Sequence, residues 1–184
     1  PNPDAANKQI LEDLNNGASG LTLVFEGAAG DYGYALPATG AAVSAALTDV
    51  YLDAGIALDL DLGVVSEDAA GLVATLVKAR GIDPKTVSIR FGFGPLGTGD
   101  DVARWKRTAP QFADQIADLA ARGFAGPFAV ADARPVHAAG GSEVQELAFA
   151  LAMAVAYLRA LEALGIALDD ARRFIYFRLA ADQD

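Results

Sequence analysis

The strongest constraint on this chain is a repeated alternation. Short runs of β-branched, aromatic and leucine residues, bounded by Gly, Asn or Pro, trade places with longer runs of helical periodicity. A helix is expected over residues 4–16, where Ile10, Leu11 and Leu14 share a face and Asn16-Gly17 supplies a left-handed stop. Strands are expected at 20–26, 56–62, 87–93, 127–131 and 173–179. Helices are expected over 39–53, 66–80 and 142–165, the last opened by Ser142 with Gln145 three positions on as a capping box. The run 101–122 is also helical, but Pro110 removes a backbone donor and predicts two shorter helices. Segments 27–37 and 132–141 lack apolar periodicity and read as strand-to-helix loops.

A helix, four strand–helix units and a fifth strand imply a parallel sheet covered by helices, either an open doubly wound sheet or a closed barrel. Ala54-Gly55-Ile56-Ala57-Leu58-Asp59, Gly81-Ile82-Asp83 and Gly165-Ile166-Ala167-Leu168-Asp169 each follow a helix and precede a strand, a weak internal repeat. A complete (β/α)8 barrel takes roughly 250 residues, so about five strands would leave it unclosed. Residues 1–184 are therefore read as one domain, the N-terminal part of such an architecture.

Composition narrows the function classes. With 53% apolar residues the chain can bury a substantial core. Fourteen Lys and Arg against 24 Asp and Glu give a net charge of −10, which argues against nucleic acid or an anionic membrane as partner. The absence of cysteine excludes disulfides, thiolate catalysis and cysteine-ligated metal within the sequence. The apolar stretch 147–158 ends at Arg159, too short and alanine-rich for a membrane span, and is expected in the core, as is the aromatic strand around Phe174-Ile175-Tyr176-Phe177. Pro1-Asn2-Pro3-Asp4 carries no signal-peptide pattern, and a cytoplasmic location is the default expectation.

Few residues carry chemistry. Asp59 and Asp61 lie two apart on an expected strand and share one face, with Leu58, Leu60 and Leu62 on the other. Such a pair could hold a divalent cation or share a proton, but pairing with Arg90, whose strand face includes Ser88 and Gly92, is favoured over metal binding. If that pair is buried, Arg90→Ala should cost roughly 3–5 kcal/mol. No metal site is assigned. His137, the single histidine, sits in a post-strand loop where barrels place active groups, yet no nucleophile accompanies it in the sequence, so it is a candidate acid–base group and no more. Gly92-Phe93-Gly94-Pro95-Leu96-Gly97 matches a dinucleotide fingerprint only formally and reads as a tight turn.

Three segments carry a family resemblance: Asn15-Asn16-Gly17-Ala18-Ser19-Gly20-Leu21-Thr22-Leu23-Val24-Phe25, Gly140-Gly141-Ser142-Glu143-Val144-Gln145-Glu146-Leu147-Ala148-Phe149 and Ala156-Tyr157-Leu158-Arg159-Ala160. They resemble the substrate-binding (β/α)8 barrel of the coenzyme B12-dependent acyl-CoA mutases. Arg134-Pro135-Val136-His137-Ala138-Ala139-Gly140-Gly141-Ser142, followed by residues 174–182, is most similar to the small subunits of methylmalonyl-CoA mutase.

The resemblance implies a TIM-type barrel, an isomerase family interconverting methylmalonyl-CoA and succinyl-CoA in propionate metabolism, acyl-CoA as the family substrate and adenosylcobalamin in the holoenzyme. It also implies that this sequence binds no cofactor itself, because the cobalamin domain and its Asp-x-His-x-x-Gly motif are absent. In the catalytic subunits a Tyr-His pair follows strand four; Arg134 and Pro135 stand at those positions here. A glutamine on strand three is matched by Arg90, an arginine-bearing loop is shortened around 97–101, and lumen Ser and Thr are matched by Asp59 and Asp61. These departures point to a non-catalytic small subunit in a heterodimer with a catalytic subunit, or self-associating through open barrel edges. The alternative is a fragment of an active mutase in which His137 stands in for the family histidine.

Overall fold

The computed structural model describes residues 2–63, 66–96 and 102–181. It is a mixed α/β chain of parallel strands alternating with helices, divided into two compact units: Pro1–Gly92 with Leu119–Gly126, and Phe93–Asp118 with Pro127–Asp184.

Unit 1 opens with α1, Pro3–Asn15, capped by the Asn2 side chain. It continues through β1 (Gly20–Val24), α2 (Gly40–Ala46), β2 (Ala57–Asp61), α3 (Ala69–Ala79) and β3 (Ser88–Arg90). The strands form a parallel sheet in the order β1-β2-β3. Its leucine face is buried: Leu23, Leu58, Leu60 and Ile89 join Val43 and Ala46 of α2 and Val73, Ala74 and Val77 of α3 in one core. Removing such side chains from water at about 25 cal/mol per Å2 is the main force ordering this layer.

Helix α2 is much shorter than its apolar pattern predicts. After Ala46 the chain turns through Asp49 at φ 60°, burying Val50 and Leu52 from a non-helical segment. Groups from the neighbouring helices hold that turn: Asn7 of α1 donates to the Ala46 and Thr48 carbonyls, and the Arg80 guanidinium donates to those of Leu47 and Val50. A cation at a helix C-terminus also suits the helix dipole. Ser66, expected to open α3, instead exchanges hydrogen bonds with Gly63, and α3 begins three residues later.

Unit 2 contains β4 (Ala129–Asp132), α5 (Arg134–Ala138), α6 (Glu143–Ala163), α7 (Leu168–Ala171) and β5 (Ile175–Arg178), with β4 and β5 parallel. Phe93 bridges to Ala129 along the opposite edge of β4. The capping box at Ser142 and Gln145 is present. Met153, Tyr157 and Leu161 of α6 are buried, and Tyr157 packs edge-to-face with Trp105 and at a tilt against Phe112 while its hydroxyl accepts from the Leu96 N–H at 3.3 Å.

Four expectations fail here. Helix α4, Val102–Ala121, is continuous through Pro110. Proline deprives the carbonyl four residues back of its donor, and both Lys106 and Pro110 are exposed, so water can satisfy that oxygen. The segment 132–141, expected as a loop, contains α5, with Pro135 in the first turn where a missing N–H costs nothing. The 147–158 stripe is core on one side only: Leu147, Leu151 and Val155 are exposed, Leu151 at 50%. Phe177 is 49% exposed, so the last strand is not wholly core either. By length and composition α6 could cross a membrane, yet its other face packs against β4 and β5, as core helices do.

Candidate functional site

The strands of each unit end in a different kind of site. In unit 1, strand parity and register gather the polar residues on one face. Asp59 stands opposite Arg90, Ser88 opposite Ala57, and Asp61 opposite Val24. That face is open at Gly20, Thr22, Ser88 and Arg90, half-buried at Asp59, and closed at Asp61, which is 3% exposed.

Asp61 is covered by the loop after β1. A Cβ added at Gly30 would meet Asp61 Oδ2 at 2.8 Å, and one at Gly63 would stand 2.2 Å from the Gly27 carbonyl carbon and oxygen. Asp31 shapes the same loop by accepting from the Gly27 N–H at 3.0 Å and the Gly33 N–H at 2.9 Å. Those donors, the Gly27 amide first, then Gly33 and Ala35, hold its carboxyl below the usual range despite a small opposing effect of desolvation. Tyr32 and Tyr34 project from the loop into solvent.

The geometry corrects one magnitude. Arg90 is directly across from Asp59, but it is exposed, so the two cannot be costed as a buried ion pair. Gly92, at φ 69°, makes a tight approach in which a Cβ would lie 2.0 Å from the Leu60 carbonyl oxygen; Gly97, the last glycine of the formal fingerprint, and the shortened 97–101 loop lie outside the described residues.

In unit 2 the carboxyl ends of β4 and β5 carry a charge cluster. The Arg134 side chain clamps Asp132 through Nε, 3.0 Å from both carboxylate oxygens, and through Nη2, while its backbone N–H donates to Oδ1 at 3.0 Å and starts α5. Arg178 Nη1 lies 3.7 Å from Asp132 Oδ2, and Arg178 Nη2 donates to the Tyr176 hydroxyl at 3.3 Å. Bidentate guanidinium–carboxylate pairing of this kind is strong and geometrically fixed.

Beside it, Glu146 in the first turn of α6 is 5% exposed and accepts from the Ala180 N–H at 2.6 Å. His137 Nδ1 is 3.7 Å from its other oxygen, outside hydrogen-bond range. The candidate histidine thus faces a buried carboxylate while remaining 42% exposed itself. Among the described residues no three His, Asp or Glu side chains converge as a metal site.

Sequence reasoning placed Asp59, Asp61, Ser88 and Arg90 on one face, and they share it; His137 belongs to the other unit. It did not identify the Asp132–Arg134–Arg178 cluster or Glu146 as a group. The available signal was Asp132 and Arg134 two apart at a strand exit; Arg178 joins only through the β4–β5 register.

Comparison with known proteins gives a consistent set of relatives. Residues 130–184 match the methylmalonyl-CoA mutase family model. The chain is 36% identical over 187 residues to the methylmalonyl-CoA mutase small subunit of Streptomyces virginiae, an alignment covering 99% of this chain and 28% of that protein. It is 35% identical over 184 residues to probable methylmalonyl-CoA mutase small subunits of Mycobacterium bovis and Mycobacterium tuberculosis, covering 97% of this chain and 27% of each. The chain thus spans little more than a quarter of the length of the curated relatives it matches.

Proposed function

We propose that this chain, related along nearly its whole length to methylmalonyl-CoA mutase small subunits, is part of a (β/α)8 barrel in a non-catalytic subunit that supports a catalytic mutase subunit in a heterodimer. The observation that carries the reading is the Asp132–Arg134 clamp with Arg178 beside it. It fills the strand exit at which the resemblance sets a Tyr-His pair. A guanidinium locked to a carboxylate offers neither a phenol nor a proton-transfer group at neutral pH, and Pro135 has no titratable side chain.

In this reading the polar face of unit 1 is the barrel lumen. Asp59 and Asp61 on that face oppose the anionic phosphates of an acyl-CoA, in accord with a supporting role. Adenosylcobalamin belongs to the holoenzyme: the only histidine here lies on short α5 beside Glu146, a poor fit to a cobalt-ligand loop, and no step is assigned to the cofactor on this chain. The setting is cytoplasmic propionate metabolism.

The alternative, a piece of an active acyl-CoA mutase, draws on one observation, the carboxylate of Glu146 facing His137. One experiment separates the two. The chain is mixed with adenosylcobalamin and methylmalonyl-CoA, alone and with a catalytic mutase subunit, and succinyl-CoA is measured alongside sedimentation. The expected result is no product and no cobalamin spectral change from the chain alone, with a stable complex when the catalytic subunit is present. Product from the chain alone, abolished by His137→Gln, would establish the alternative; absence of a complex would remove the supporting role.

A further inference from the structure

Among the described residues of unit 2, Glu146 is the one charged group that is buried. Taking a carboxylate out of water is costly unless donors or an opposite charge replace the lost hydration. The compensation here is uneven. Oε1 accepts from the Ala180 N–H at 2.6 Å, and the carboxylate sits in the first turn of α6, where the helix dipole suits an anion. Among the described residues, what faces Oε2 is the His137 imidazole, with Nδ1 at 3.7 Å, too far for a hydrogen bond. His137 stands in the last turn of α5 and is half-exposed, so a proton from solvent reaches it without unfolding.

The other charged groups on the surrounding elements are engaged or distant. Asp132 of β4 is held by Arg134 of α5 and approached by Arg178 of β5, which also donates to the Tyr176 hydroxyl. Glu143 is exposed at the start of α6. Arg159 and Glu162 lie toward the other end of that helix, with Asp169, Asp170, Arg172 and Arg173 beyond it. Among the described residues, His137 is therefore the group through which pH acts on Glu146 near neutrality.

We propose that His137 and Glu146 form a proton-operated latch. Protonation of the imidazole places a charged N–H donor opposite Oε2, the pair closes, and the residues leaving β5 are fastened through Glu146 to α5 as well as α6. A neutral imidazole brings no charge to a buried carboxylate, whereas an imidazolium does, and charge-assisted hydrogen bonds are the stronger kind. The latch is closed while the imidazole carries its second proton and opens as pH rises and that proton is lost. It also needs Glu146 ionised, so it works between the ordinary carboxylate and imidazole ranges, about pH 4.3 to 6.5. It acts on the exit of β5 in a supporting and in a catalytic subunit alike.

NMR of the 184-residue chain between about pH 5 and 8 tests it. The Ala180 amide is the reporter, because it is bonded to the same carboxylate. Its shift should follow the protonation of the His137 ring. Its protection factor, which removes the intrinsic pH dependence of hydrogen exchange, should rise about fivefold toward the acid side, the upper range for a partly exposed ion pair. Glu146→Gln keeps an acceptor for the Ala180 N–H without the charge and should flatten both responses. His137→Gln should flatten them too, and as a change at a half-exposed site it decides the matter if Glu146→Gln fails to fold. An Ala180 amide indifferent to the protonation of His137 overturns the proposal, as does a response that survives His137→Gln.

Discussion

At the end of β2, unit 1 is closed by backbone: the Gly27 carbonyl comes so close to Gly63 that a side chain there has no room, while Gly30 lies against the Asp61 carboxylate. At the end of β4, unit 2 is closed by charge, with Asp132 held by Arg134 and approached by Arg178, and Glu146 tying the segment after β5 to α6. The first device depends on the absence of atoms and is indifferent to salt. The second depends on ionised groups and leaves its surroundings tunable by ionic strength and substitution. Two strand exits on one chain thus reach similar closure by steric and by electrostatic means, and the two should break differently.

The largest effect is expected from Gly63→Ala, since its Cβ meets backbone that cannot swing aside. The cost should be about 3 kcal/mol, the upper end for overpacking, and amide exchange should rise in unit 1 first. A loss under about 0.5 kcal/mol would mean that the loop after β1 is free to lift.

Asp132→Ala should cost about 1–3 kcal/mol, the range for removing one partner of a charged hydrogen-bonded group. The difference from the parent in urea midpoint should shrink as salt is raised, whereas that of Gly63→Ala should not. Equal salt responses would show that both strand exits are closed by the same means.

Arg90→Ala should be milder still, about 1 kcal/mol or less, because an exposed guanidinium across from Asp59 is screened by water. A loss of several kcal/mol in thermal unfolding would show that the pair is shielded in solution.

The smallest effect belongs to Asp31, whose depressed carboxyl ties it to pH. A group held lower in the folded chain contributes to loop order above its unfolded pKa of about 3.9 and loses that contribution as pH falls through the lower folded value. The amide shifts of Gly27 and Gly33 should therefore move only below about pH 4, and Asp31→Asn should remove the titration. Movement near neutral pH would assign those amides to another acceptor.

The alternation of elements is legible because periodicity and capping are local: α1, the capping box of α6 and all five described strands fall where residue pattern puts them, with ends shortened or shifted by one to three residues. What pattern cannot convey is which apolar face finds a partner. Leu147 and Leu151 read like core, yet they face solvent while Met153 and Tyr157 on the same helix do not. Pro110 does not break α4 as its residue type predicts, because the effect of a helical proline depends on whether the orphaned carbonyl is wet. The shared face of Asp59 and Asp61 followed from strand parity alone, but the exposure of Arg90 and the meeting of Arg178 with Asp132 needed the register of separate strands, which is a tertiary property.

The aromatic cluster of α6 has an optical consequence. The sole tryptophan, Trp105, has its ring centroid 5.5 Å from that of Tyr157 and 5.4 Å from that of Phe112, all within unit 2, whereas Tyr32, Tyr34 and Tyr51 are exposed in unit 1. Excitation absorbed by Tyr157 passes to the indole at such a distance, so the emission of the single tryptophan reports the packing of this cluster in unit 2. The unlabelled chain thus carries a built-in optical reporter of unit 2.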